Sequence, residues 1–262
     1  MRRSLLVALC FGLWTLVSAP LGLANGVFQS VTGDVRAAAG AAAPASVGIN
    51  QRVVPGTTVT TGSGAQTIIR FDDGHTVVLN ENTEFRVNQY SFDKEKPQSD
   101  NITMQLLKGA LRSVSGLIGS RSRSSFALLT PQATIGIRGT DFLIALVNPA
   151  FLAVIDGTIG VANTAGSAAF AAGATATVAS ATTLAVAIPA AALPAAVATA
   201  FGNLSSVAIG AVGAGAATGA ATGGITAGMV AAGVAIVGVA AAAASSNNGS
   251  VNTTSTVGTG GT

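Results

Sequence analysis

The sequence predicts an all-β fold, a sandwich, roll or short solenoid of short strands, followed by a Gly/Ala-rich helical or low-complexity C-terminal region. Three observations carry this. Between about Gly26 and Asn163, short β-prone runs alternate with Gly, Asp, Asn and Pro turns. Where a run is amphipathic its period is two, as in Thr83-Glu84-Phe85-Arg86-Val87. The same half shows no long amphipathic helix.

The chain starts with a stretch that reads as a secretory signal peptide, residues 1–24. Arg2 and Arg3 form its charged end, Leu5 to Val17 its apolar run, and Gly22-Leu23-Ala24 a small-residue cleavage site. Cys10, the single cysteine of the 262 residues, falls in that apolar run, so the mature chain is expected to lack disulfides and thiol chemistry. Residues 25–165 then form the expected β-domain. Gly33-Asp34 and Pro55-Gly56 are turn pairs. Thr67 to Phe71, Asp72-Asp73-Gly74-His75 and Thr76 to Leu79 read as a hairpin around an Asp-Gly turn. The reading repeats at Phe151 to Ile155, Asp156-Gly157 and Thr158 to Val161. Lys108-Gly109 and Arg138-Gly139-Thr140-Asp141 likewise separate strand-like runs, and Phe142 opens the run after the second. Asp93 to Asp100 reads as a solvated loop, and so does the small basic spot at Arg121 and Arg123.

Composition changes after Asp156. The 106 residues from Gly157 to Thr262 contain no Asp, Glu, Lys, Arg or His. Such a segment does not suit a second soluble enzyme domain, which normally carries about a quarter charged residues. Nor does it suit a nucleic-acid-binding tail, which needs cations for phosphates. Residues 166–203 form an Ala/Thr/Pro-rich extension that can hold final strands. Residues 204–244 are a Gly/Ala-rich hydrophobic segment, within which Ile225 to Ala244 has the length and hydropathy of a transmembrane helix. Gly215, Gly219 and Gly223 carry the spacing of small-residue helix packing, so self-association is the alternative. Residues 245–262 read as a disordered polar tail.

Chemistry-bearing constellations are scarce. His75, the one histidine, is expected to be a solvated turn residue. Asp72 and Asp73 are expected to form a turn; adjacent residues in extended chain face opposite ways and make poor paired acids. Phosphate-binding and nucleophile-elbow motifs are absent. No catalytic residue, cofactor site or metal site is expected.

The order of segments resembles the FecR-type periplasmic domain, named for the ferric-citrate regulator. The resemblance runs over about residues 28–163. It is carried by Gly33-Asp34-Val35-Arg36, Val54-Pro55-Gly56-Thr57, Phe71-Asp72-Asp73-Gly74, Leu106 to Arg112, Thr130-Pro131-Gln132-Ala133, Arg138-Gly139-Thr140-Asp141-Phe142 and Asp156-Gly157-Thr158. It implies an all-β extracytoplasmic domain that, in the best-known members, relays a signal from an outer-membrane receptor to a cytoplasmic sigma factor. Those regulators carry a cytoplasmic N-terminal region, where this chain has a signal-peptide-like start. Read from the residues themselves, the glycines of these segments serve turns, and Arg138 and Asp141 are expected to pair locally or to bond turn carbonyls.

The combined expectation is an exported, non-enzymatic protein of the bacterial periplasm or cell envelope, acting as a sensing, scaffolding or interaction module. Its partner is expected to be an envelope protein or a cell-envelope polymer and not nucleic acid. The membrane, through Ile225–Ala244, or a second copy of the chain is the further partner expected of the C-terminal segment. Two alternatives stand beside it. One is a sigma-factor regulatory component that needs a separate cytoplasmic partner. The other is an exported carbohydrate-acting enzyme, which would need a carboxylate pair in a cleft.

Overall fold

The computed structural model describes residues 25–209. The leader (1–24) and the segment Ile225–Ala244 lie outside the described residues, as does the polar tail.

Fifteen strands form one mixed sheet. In chain order they are β1 (Gly26–Thr32), β2 (Val35–Ala39), β3 (Ala45–Ser46), β4 (Arg52–Val53), β5 (Thr57–Thr61), β6 (Gln66–Phe71), β7 (Thr76–Leu79) and β8 (Glu84–Ser91). There follow β9 (Asn101–Val114), β10 (Phe126–Leu129), β11 (Thr134–Leu146), β12 (Ala150–Asn163), β13 (Gly166–Ala171), β14 (Thr175–Val178) and β15 (Val186–Ile188). Two α-helices are present among the described residues, α1 (Leu117–Arg121) and α2 (Ala195–Ser205). No helix among them is long and apolar enough to cross a membrane.

The three long strands shape the molecule. The sequence reads each of them as two runs split by a turn at Gly109, Gly139 or Gly157. The structure corrects this: each runs through its glycine as one strand. The three glycines have φ of +87°, +57° and +76°, and they act as bulges instead of turns. A left-handed residue inserted in a strand adds one unpaired position and bends the strand. It also inverts which side chains face the core, because the strand period is two. β9 buries Ile102, Met104 and Leu106 before Gly109 but Leu111 and Ser113 after it. β11 changes from Ile135 and Ile137 to Phe142 and Ile144, and β12 from Leu152 and Val154 to Ile159 and Val161. Asp-Gly gives the same local signal in a two-residue turn and in a bulge; this shift of hydrophobic phase is what separates them.

Each long strand therefore crosses from one layer to another. Its two halves take different neighbours. The first half of β9 pairs with β8 and, in parallel, with β10; its second half pairs with β7 and β11. One layer comprises β1, β4, β6, β7, β14, β15 and the halves of β9, β11 and β12 next to them. The other comprises β2, β3, β5, β8, β10, β13 and the remaining halves. Both layers feed one core, in which Phe28 and Phe142 from the first meet the same cluster as Phe85, Met104 and Leu128 from the second. Phe28, Phe85 and Phe142 are fully buried, and truncating a side chain of that kind to Ala costs about 3–5 kcal/mol.

The strands β13, β14 and β15 continue the sheet after Asn163, so the uncharged extension supplies part of the same sheet. α2 then covers the outer face of the first layer. Its apolar residues Val197, Phe201 and Leu204 recur at helical spacing. They pack on Val78, Ala110, Leu143, Ala145, Phe151 and Ala153.

Candidate functional site

The hairpin of β6 and β7 closes as its Asp-Gly signal predicts, with Gly74 N–H bonded to Phe71 O at 2.9 Å. Asp73 in that turn is buried and organises what surrounds it. Its Oδ1 accepts the His75 amide at 3.1 Å and the Tyr90 hydroxyl at 3.1 Å. Its Oδ2 accepts the Ile118 amide at 3.2 Å, and its carbonyl accepts the Leu117 amide at 2.9 Å. Its own N–H donates to Tyr90 Oη at 2.9 Å. One carboxylate thus ties the hairpin to strand β8 and to the start of α1. Gly116 permits the approach: a Cβ there would collide with the His75 amide nitrogen and Asp73 Oδ2.

His75 is the clearest departure from expectation. It is 1% exposed, not a solvated turn residue. Its ring lies against Phe71 and Phe126, and Nε2 is 3.2 Å from Ser113 Oγ. Burial lowers its pKa to about 4, with the nearby Asp73 charge pulling the other way. The ring is therefore neutral at pH 7. Burial first, and then the Asp73 charge, push the Tyr90 phenol well above its ordinary value. Ser113, His75 and Asp73 do not form a nucleophilic relay. The carboxylate bonds the histidine backbone, and Ser113 is completely buried.

Above this network lies a cleft of about 520 Å³. One wall is the Phe71–Gly74 turn, and a second is Ser115 to Leu117 with Ser120. The third is Gly139-Thr140-Asp141 together with Asp156, and Lys94 and Arg70 stand at its border. Ser115 welds two walls: its Oγ donates to the Thr140 carbonyl at 2.9 Å and accepts the Thr140 amide at 2.8 Å. Gly157 fits directly under this corner, since a Cβ there would strike the Gly139 carbonyl.

The cleft gathers Asp73, Gly74, Gly139, Thr140 and Asp156 from the residues singled out in the sequence, with Gly157 beneath. The others lie elsewhere. Gly33 and Asp34 make the β1–β2 turn, where Asp34 pairs with Arg36 at 3.0 Å. Pro55 and Gly56 lead into β5, and Gly56 N–H bonds the Val87 carbonyl at 2.7 Å. Gly109 is the β9 bulge, its Cα packed against Thr83. Thr130 and Pro131 belong to the β10–β11 turn, where Thr130 Oγ1 donates to the Ala133 carbonyl at 2.8 Å. Phe142 is core.

Three further expectations change. Asp141 does not pair with Arg138, which is exposed on the far side of the bulge. It takes Arg112 instead, with Nε–Oδ1 at 2.9 Å and Nη2–Oδ2 at 2.6 Å. Asp100 is buried at the end of the charged loop, accepts the Asp93 amide at 2.8 Å and lies 3.6 Å from Arg121. Arg121 itself ends a helix rather than a loop, with its guanidinium 5.9 Å from the Phe92 ring centre. Sequence reasoning missed Tyr90, Ser113, Ser115 and Arg112. Their partners are 17 to 38 residues away, and only the folded register joins them.

Of the carboxylates an enzyme reading would use, Asp72, Asp141 and Asp156 line the cleft. Glu81 instead accepts the Gly64 amide at 2.7 Å, and Glu84 lies opposite Lys108 in the β8–β9 ladder. Among the described residues no group of three or more His, Cys, Asp or Glu is placed to hold a metal ion.

Fold and cleft define a class first: an all-β domain whose turn and bulge motifs converge on one polar cleft. Residues 57–160 match the family described as FecR protein, so this stretch of the β-domain is of the FecR type. Two crystal structures of a candidate anti-sigma factor from Parabacteroides distasonis are also similar. They share 17% and 14% identity with TM-scores of 0.41 and 0.39, and each alignment covers 50% of this chain and 58% of that one. The chain thus spans little more than half the length of those structures. No curated protein matches the chain.

Proposed function

We propose that this is a non-enzymatic FecR-domain protein of the bacterial cell envelope that senses or scaffolds by holding a partner protein in the Asp73–Thr140 cleft. The observation that carries this reading is the meeting of three separate FecR-type segments, Phe71–Gly74, Gly139–Asp141 and Asp156, around one opening. Their side chains and backbone offer donors, acceptors and both charges, which suits a polar segment of a partner. The buried His75–Ser113 pair supports binding over catalysis, because both side chains are shielded from substrate, and the Asp73 carboxylate is occupied by the His75 and Ile118 amides and the Tyr90 hydroxyl. Asp141 is likewise committed to Arg112. The signal-peptide-like start supports export, with the uncharged segment after the domain as membrane anchor or self-association element.

A photo-crosslinker at Ser120, on the cleft wall, tests this in the full chain expressed in cells. The expected result is one protein adduct that a crosslinker at Thr60, on the opposite layer, does not give. Adducts only to envelope polymer would redirect the reading. Equal labelling from both positions, or recovery of the protein in the cytosol, would sink it.

The family match also favours a second reading, a part in sigma-factor regulation through a separate cytoplasmic partner. Deleting the protein would then alter the output of one sigma-dependent promoter. Unchanged transcription would dismiss it.

A further inference from the structure

α2 is attached to the sheet in two unlike ways. Its apolar side rests three residues on a face in which Ala110, Ala145 and Ala153 alternate with Val78, Leu143 and Phe151. Its C-terminal end is held by one polar group. Arg112 Nη1 donates to the carbonyls of Leu204, Ser205 and Val207 at 3.3, 3.3 and 3.2 Å. Carbonyls at a helix end lack intrahelical partners, and a cation there suits the helix dipole. The rest of the same guanidinium is clamped by Asp141. The two side chains are 13% and 16% exposed, so solvent weakens the pair little. Asp141 is also part of the cleft wall.

We propose that α2 is a releasable strap latched by Arg112, and that Asp141 makes the latch respond to what enters the cleft. This rests on the cleft being the partner site. A guanidinium is a rigid planar fork, so Asp141 fixes the direction in which Nη1 points. A lysine or arginine of the partner reaching Asp141 competes with Arg112 for the carboxylate. Arg112 then loses its aim, and the three carbonyls lose their donor. An eleven-residue helix is marginal on its own, so release and unwinding go together. The uncovered face, with Leu143 and Phe151 on it, becomes available. By reciprocity, a released strap favours occupation of the cleft.

Hydrogen exchange on the full chain, read by mass spectrometry, tests the latch. Residues 195–205 report on the strap, and residues 142–146 and 150–154 serve as the sheet reference. Asp141→Asn is expected to speed strap exchange at least tenfold and to leave the reference within twofold. Asp156→Asn, a cleft carboxylate outside the latch, is expected to change neither. Val197→Asp, which spoils the apolar contact and keeps the latch residues, is expected to free the strap with the sheet intact. The proposal is overturned if Asp141→Asn leaves strap exchange unchanged, if the sheet reference rises with it, or if Asp156→Asn acts alike. A strap response combined with no cleft adduct in the crosslinking experiment would keep the latch and dismiss the cleft as partner site. An adduct without a strap response would do the reverse.

Discussion

The two outer faces of the sheet differ although the same three strands build both. In the first layer, β9 and β11 after their bulges and β12 before its own present Ala110, Leu143, Ala145, Phe151 and Ala153, an apolar face that α2 covers. On the other layer most outward residues are small or polar: Thr58, Thr60, Arg86, Thr103, Gln105, Gly160 and Ala169 are exposed or half-buried, with Leu129 a large apolar one among them. No described helix covers them. The difference arises from parity. One left-handed glycine per strand lets a single run of sequence serve a two-sided buried sheet at one end and a one-sided sheet at the other.

The strongest way to break this contrast is to remove a bulge. Gly157→Ala puts a Cβ on a residue with φ of +76° and drives it into the Gly139 carbonyl. We expect a loss of about 4 kcal/mol in denaturant unfolding, near the upper end for single substitutions. A loss under about 1 kcal/mol would mean the corner relaxes easily. Matched charges then compare the faces directly. Ala153→Asp buries a carboxylate under α2 and should cost about 3 kcal/mol. A third effect belongs to the layer between the faces. His75 is held neutral with a folded pKa of about 4, against 6.5 for the free side chain. Above pH 6.5 both folded and unfolded forms are neutral, and this group's contribution is fully present. As pH falls from 6.5 toward 4 the unfolded chain takes up a proton that the folded one refuses, so stability declines, by roughly 2 kcal/mol at pH 5. The check is unfolding free energy against pH for the protein and for His75→Asn, whose curve should lack this slope; parallel curves would contradict it. The smallest effect is the partner of the Ala153 change. Ala169→Asp on the open face should stay within about 0.5 kcal/mol.

Much of the fold was legible in the residues. Alternation in Thr83–Val87 and the β-branched runs around Asp72–His75 report local backbone preference, and local preference is what sequence shows directly. The bulges were half legible. Gly109, Gly139 and Gly157 announced positive φ, but a turn and a bulge share that need. The distinguishing cue was present in the phase of the flanking residues, Ile135 and Ile137 against Phe142 and Ile144. The site was less legible. Its motif residues could be named, but Asp73 as a buried hub depends on Tyr90 and Ile118, and Asp141 depends on Arg112. Charge gave no warning for His75, because a polar residue beside Asp-Gly reads as exposed until a second layer closes over it.

The bulges also set a rule for insertions and deletions. Losing one residue of β11 just after Gly139 would turn Leu143 inward in place of Phe142, and a loss further along would swap the strand's inner and outer surfaces from that point to its end. Losing two would shorten the strand but keep every remaining side chain on its side. Length variation within the long strands is therefore expected in steps of two, and single-residue changes are expected to fall in the connecting loops or at the glycines themselves.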